Sequence, residues 1–251
     1  MPSKFDLLRP EWPAPANVGA LVTTRLGGVS AAPFDTLNLG DHVGDQPAAV
    51  ARNRQILMAK CTGLNAISWL NQVHGTAAVA ANAAPVESAD AQFTQTAGLG
   101  CAVMTADCLP VLFCDRAGTQ VAAAHAGWRG LGAGVLEATV ATFADPAQLL
   151  AWLGPAIGPA NFEVGAEVRE QFIDAAATQQ RHAVAACFAE GPRAQHFLAD
   201  IYELARLRLQ AVGVTAIYGG SLCTVADPQR FYSFRRDGVT GRMASLVYLK
   251  S

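Results

Sequence analysis

Three short apolar runs in the middle of the chain, Leu99 to Met104, Val111 to Cys114 and Val121 to Ala124, are each cut off by turn residues. Runs of this length are too short for core helices and read as buried strands. Side chains at their ends are therefore projected from a rigid frame. Two of those ends carry chemistry. Thr105-Ala106-Asp107-Cys108-Leu109-Pro110 joins the first two runs, and the third ends at His125 in Ala124-His125-Ala126-Gly127-Trp128-Arg129-Gly130. A third loop of the same kind, Asn71-Gln72-Val73-His74-Gly75, precedes them.

Two imidazoles and one thiolate, His74, His125 and Cys108, would hold a zinc ion and leave its fourth position open, the outline of a catalytic metal site. Taken singly, each residue has a plainer reading: a histidine satisfied by hydrogen bonds, or a cysteine buried as a small hydrophobe. The three lie in separate segments. Spacing alone does not bring them together, as it would for a CxxC pair or an HExxH helix.

The rest of the chain predicts a frame around these loops. Strands are expected at Val18 to Thr24, Ile67 to Leu70, Ala77 to Ala80, Leu149 to Leu153, Ala216 to Tyr218 and Ser245 to Leu249. Asp45 and Pro47 predict the cap and first turn of a helix running to about Cys61 and stopping at Gly63. Further helices are expected from near Gly132 to before Asp145-Pro146, over Gly165 to Ala177, and from Asp200, with Ile201, Leu204, Leu207 and Leu209 close to one face. Strands and helices in irregular order, without strict βαβ alternation, predict an α+β fold of layered mixed sheets flanked by helices.

At 251 residues and 51% hydrophobic, the chain can bury a full core, and we expect one domain over residues 1–251. Its 18 Lys and Arg against 20 Asp and Glu give no broad basic face for nucleic acid. No basic leader or membrane-length apolar run is apparent, which predicts a cytoplasmic protein without membrane partners. The six cysteines form no CxxC pair and sit mostly in apolar stretches, as reduced thiols do.

Longer motifs carry a family resemblance. Thr23-Thr24-Arg25-Leu26-Gly27-Gly28-Val29-Ser30, Leu37-Asn38-Leu39-Gly40, the three loops above, Gly154-Pro155-Ala156-Ile157-Gly158-Pro159 and Phe231-Tyr232-Ser233-Phe234-Arg235-Arg236-Asp237-Gly238 closely resemble the polyphenol oxidoreductase (laccase-like) family. Its members are regarded as purine nucleoside phosphorylases, and some relatives as peptidoglycan editing factors. The resemblance implies a fold similar to the cytotoxic-necrotizing-factor-like fold and zinc on His74, Cys108 and His125. It also implies phosphorolysis of adenosine, inosine, guanosine and methylthioadenosine, with adenosine deamination at the same centre. Copper fits less well: a blue-copper site wants a weak axial ligand such as Met, and a multicopper oxidase wants more than five histidines. The chain departs from the resembled family over Ala160-Asn161-Phe162-Glu163-Val164, where many relatives carry a cysteine or two after the Gly-Pro turn.

Several residues are candidates for substrate or proton transfer. Arg25, beside Gly27-Gly28, and Arg129, just beyond His125, have the charge-assisted donors that hold phosphate, or are solvated loop arginines. Asn38 binds substrate or satisfies its own turn. Asp107 either moves a proton in deamination or orients a metal-bound histidine. Arg235 and Arg236 face the cleft or form a buried ion pair with a carboxylate such as Asp200. Trp128 stacks on a purine or wedges its loop against the core.

Two other chemistries compete. Cys108 as nucleophile with His125 as base would make a hydrolase or deamidase, for instance one that edits peptidoglycan precursors. A non-catalytic zinc module would need a fourth ligand, for which Cys223 and Cys101 are the candidates.

Overall fold

The computed structural model describes residues 5–84 and 86–251, and they form a mixed α+β structure with several sheets. The three central runs become the strands Leu99–Thr105, Leu109–Asp115 and Val121–Ala126. Leu109–Asp115 pairs antiparallel with both Val121–Ala126 and Leu149–Leu153 at the heart of a six-stranded sheet. Leu99–Thr105 lies in a second, five-stranded sheet, antiparallel to the last strand, Met243–Leu249, which in turn pairs with Val18–Thr23. The expected strands at Ile67, Ala77 and Ala216 appear as Ala66–Ser68, Ala78–Ala80 and Ala216–Gly219, each joining a neighbour in parallel.

Alternation along the strands sets the layers, because successive side chains point to opposite faces. Leu112 and Cys114 face Val103, Val247 and Val22 in the space between the two large sheets. Val111 and Phe113 point the other way, under Leu131, Leu136, Leu204 and Leu209 of the covering helices. On the outer face of the five-stranded sheet, Leu21, Ala102 and Leu246 meet Leu57 of the Pro47–Met58 helix. The order is helices, six-stranded sheet, five-stranded sheet, helix. Gln92 ties the sheets across the middle, donating from Nε2 to the carbonyls of Ser68 at 3.0 Å and Ala102 at 2.7 Å.

Helix ends depart from expectation for identifiable reasons. Asp45 does not cap the first helix: Gln46 stands at the cap, and the Asp45 carboxylate instead accepts from Ser30 Oγ and Asn38 Nδ2. The helix expected from Gly132 begins earlier, as Trp128–Ala133, breaks at Gly134, whose φ of +108° suits glycine, and resumes as Val135–Val140. The helix expected over Gly165 to Ala177 is Ala166–Ala175. Asp200 does cap Ile201–Ala211, accepting from the N–H groups of Tyr202 and Glu203 at 3.0 Å each. With that carboxylate so used, the pairing with Arg235 or Arg236 does not form, and Arg236 pairs with Asp237 at 2.7 Å. The one-turn helix Phe234–Asp237, capped by Ser233, and the small sheet of Glu163–Gly165, Phe188–Glu190 and His196–Ala199 have no counterpart in the sequence reading.

Candidate metal centre

His125 is the penultimate residue of its strand, so the sheet fixes its backbone and leaves its ring at the sheet end. The ring is oriented by Asp90, whose Oδ1 lies 2.8 Å from His125 Nδ1. Both residues are buried, at 3% exposure for His125 and 0% for Asp90. The same carboxylate accepts the backbone N–H groups of Val73, His74 and Gly75 at 3.1, 2.9 and 2.7 Å. That cradle holds His74 at a φ of +60°, a region costly for a residue with a side chain unless its surroundings fix it. One buried carboxylate thus places both imidazoles.

Cys108 comes from the turn between the first two strands, with its sulfur 3.9 Å from His74 Nε2. The two imidazole rings meet edge to face, 4.8 Å between centroids. One ligand atom from each of His74, Cys108 and His125 lies within 4.8 Å of the others. Gly127 makes the approach possible: a Cβ there would stand 3.0 Å from Cys108 Sγ and 3.1 Å from His74 Cδ2. Because Asp90 takes Nδ1 of His125, the opposite ring nitrogen is left to face the cluster. Two imidazoles and a thiol in this arrangement, with a carboxylate behind one of them, suit a metal ion such as zinc.

The electrostatics favour charge at Asp90 and a thiolate at Cys108. Burial pushes the Asp90 carboxyl up, but hydrogen bonds from His125, Gly75 and Val73 outweigh it and hold the group below the usual range. Burial likewise raises the Cys108 thiol, yet the two imidazoles bring it down, so it favours the thiolate that a metal needs. His125 is raised against its own burial by Cys108 and Asp90. The other buried thiols lack such neighbours: burial pushes Cys61 up to about 11 and Cys114 up to about 12.

The fourth-ligand candidates do not reach the cluster. Cys101 lies fully buried between the sheets, and Cys223 accepts from Gly158 N–H at 3.2 Å and Asn161 Nδ2 at 3.4 Å. Asn161 thus donates a hydrogen bond to the Cys223 thiol. The site keeps an open side.

Two adjoining cavities meet at His74, Ala106, Cys108 and Phe234. One, of about 250 Å³, has Trp128, Ile157, Phe162 and Ile201 in its walls with Arg129 and Arg235. The other, of about 240 Å³, takes in His42, Gln72, Met104, His125 and Arg242.

Of the expected substrate groups, Arg129 lines the cleft, its guanidinium 4.3 Å above the Trp128 ring. Arg25 and Asn38 do not line either cavity. Arg25 donates to the carbonyls of Asp35 and Pro228 and lies over Tyr232. Asn38 is fully buried, bonded to Gly40, Asp45 and the Arg242 N–H. Asp107 is adjacent to Cys108, but its carboxylate accepts from Thr224 Oγ1 at 2.6 Å, Ser233 Oγ at 3.0 Å and Arg235 N–H at 2.6 Å. The carboxylate that orients a histidine is Asp90. Its signal in the sequence is an aspartate alone between Ala89 and Ala91, just ahead of the Ala91–Thr94 strand.

Residues 19–250 match the family described as multi-copper polyphenol oxidoreductase laccase. A purine nucleoside phosphorylase of Pseudomonas aeruginosa is 57% identical over 244 residues, covering 97% of this chain and 98% of the relative. The purine nucleoside phosphorylase YfiH of Escherichia coli K12 is 55% identical over 248 residues, covering 97% and 98%. Among solved structures, a Neisseria meningitidis protein matches with a TM-score of 0.90 at 53% identity, over 98% of this chain and 99% of its own. YlmD from Geobacillus stearothermophilus matches with a TM-score of 0.88 at 31% identity, over 100% of both chains.

Proposed function

The chain belongs to the multi-copper polyphenol oxidoreductase laccase family, and on that premise we propose that it is a zinc-dependent purine nucleoside phosphorylase. Adenosine, inosine, guanosine and methylthioadenosine are its proposed substrates, with deamination of adenosine at the same centre. The observation that carries the reading is the His74, Cys108 and His125 set at the junction of two cavities, each of a size for part of a nucleoside and phosphate pair. Zinc is favoured over copper by the donors: Met104, in the cleft wall, turns its sulfur to Arg54 at 3.9 Å, so it is not placed as an axial ligand.

In phosphorolysis a phosphate oxygen bonds to ribose C1′ as the bond from C1′ to the base nitrogen breaks. The electron pair leaves on that nitrogen, which takes up the proton given up by hydrogenphosphate. Zinc, when bound, supplies a Lewis acid beside the reacting groups. Asp90 keeps both imidazoles in place and fixes which His125 nitrogen faces the cleft. Arg129 contacts the bound substrate from the Trp128 side. Three donors already occupy the Asp107 carboxylate, so we assign it to holding the Cys108 turn against Ser233 and Thr224, not to carrying a proton. The test is release of free base from a nucleoside panel by the metal-loaded protein, with and without phosphate. Absence of phosphate-dependent release from every nucleoside would overturn the reading.

One observation favours a second reading. Cys108 stands before His125 and Asp90 behind it, the order of nucleophile, base and orienting acid in thiol hydrolases. Such an enzyme would be a hydrolase or deamidase, with peptidoglycan precursors as one substrate class. His74 then has no chemical task, which ranks this reading below the first.

A further inference from the structure

Arg242 enters the last strand from Thr240-Gly241, and its backbone is clamped on both sides. Its N–H donates to Asn38 Oδ1 at 2.9 Å, and its carbonyl accepts from Leu39 N–H at 3.2 Å. The stem lies against Gly40, where a Cβ would come within 2.8 Å of Arg242 Cγ. Asn38 is itself fixed by Gly40 and by Asp45 Oδ2 at 2.9 Å. The guanidinium spends Nη1 on the carbonyls of Thr240 at 2.9 Å and Gly241 at 3.1 Å. Nε and Nη2 make no hydrogen bond, and Arg242 makes no ion pair, among the described residues. The guanidinium, 5.9 Å from the Phe234 ring centroid, thus keeps two donors unspent on the wall of the cavity that also holds Cys108 and His125, where both are open to an incoming anion.

We propose that Arg242 is the seat of the attacking phosphate, while the adjoining cavity under Trp128 takes the purine. The inference rests on the phosphorylase reading and deepens it. Attack on C1′ from the face opposite the departing base needs phosphate and base in separate, adjoining compartments. Trp128, Ile157, Phe162 and Ile201 give one compartment the flat apolar walls that a base fits. Its arginines are partly engaged: Arg129 is stacked on Trp128, and Arg235 donates to Glu163 O at 3.1 Å. Asn38, expected to bind substrate, acts one step away as the residue that positions Arg242.

The test measures KM for inorganic phosphate and for inosine in Arg242→Gln, Arg242→Lys and Arg129→Ala, with metal content checked in each. Arg242→Gln should raise the phosphate KM roughly tenfold to a hundredfold, with inosine KM changed less than about threefold and metal retained. Arg242→Lys should fall between it and the parent. If the Gln variant fails to fold or to hold metal, the Lys variant decides by the same split. An unchanged phosphate KM, or a rise confined to Arg129→Ala, overturns the proposal. If the parent protein phosphorolyses no nucleoside, the phosphorylase reading fails on its own, and calorimetry with inorganic phosphate judges the seat. Binding lost in the Arg242 variants then supports it, and no binding to the parent sinks it.

Discussion

Asp90 Oδ1 and His125 Nδ1 lie 2.8 Å apart, and the same carboxylate accepts three consecutive backbone N–H groups from the loop that carries His74. Two ligands from distant segments therefore share one anchor. Asp90→Asn keeps the size but replaces one acceptor oxygen by a donor, so metal affinity should fall roughly tenfold to a hundredfold. Competition with a chelator measures this. Affinity within about twofold of the parent would mean that the carboxylate is dispensable.

The same residue gives a pH dependence with a definite sign. The Asp90 pKa is depressed in the folded protein, so its contribution to stability is present above the unfolded value of about 3.9 and is lost as pH falls through the lower folded value. Asp90→Asn should flatten the acid limb of the stability curve of the metal-free protein. Denaturant melts between about pH 3 and 7 check it; an unchanged acid limb would place the anchoring elsewhere.

Gly127→Ala tests the crowding at the centre. Gly127 has a φ of −58°, which alanine adopts without strain, so the cost comes from the Cβ placed 3.0 Å from the Cys108 sulfur. Metal affinity and turnover should drop together while the melting temperature of the metal-free protein changes little. A variant with parental metal affinity would show that the cluster has slack.

Metal catalysis and thiol catalysis differ at Cys108. If the sulfur is a ligand, alkylation should be slow in the metal-loaded protein and fast after chelation, and zinc added to unmodified apo protein should restore turnover. In the apo protein, the alkylation rate should reach its plateau below the ordinary thiol range, because the imidazoles favour the thiolate. A covalent substrate adduct on Cys108, with activity that survives chelation, would instead establish the hydrolase.

Asp107→Ala removes the acceptor of three donors around Thr224, Ser233 and Arg235. Leaving buried donors unpaired costs about 1–3 kcal/mol each before relaxation, so stability should fall by at least about 2 kcal/mol. Asp107→Asn should recover most of the fold. If that variant is stable but has lost deamination alone, Asp107 carries a proton after all.

The parts of this structure readable in the sequence are those written by local pattern. The central strands and the Asp200 cap follow from short apolar runs and a side chain that accepts its own helix's N–H groups. His74, Cys108 and His125 were legible as loop residues on a rigid frame, and through the family resemblance as a set. Asp90, Gly127 and Arg242 were not. Their importance lies in partners 15 to 204 residues away, and no periodicity records such a partner. Arg25 and Asn38 looked like substrate groups for the same reason: a polar residue in a glycine turn reads alike whether it faces a ligand or a carbonyl.

The last strand, Met243–Leu249, lies inside its sheet, between Val18–Thr23 and Leu99–Thr105. During synthesis the ribosome delivers the loops of His74, Cys108 and His125 long before the strand that completes the wall behind them. A nascent chain stopped short of Arg242 has a gap in the middle of the five-stranded sheet, and the Asn38 turn has no Arg242 to hold. The frame of the centre thus depends on a strand made well after the three loops that carry its ligands.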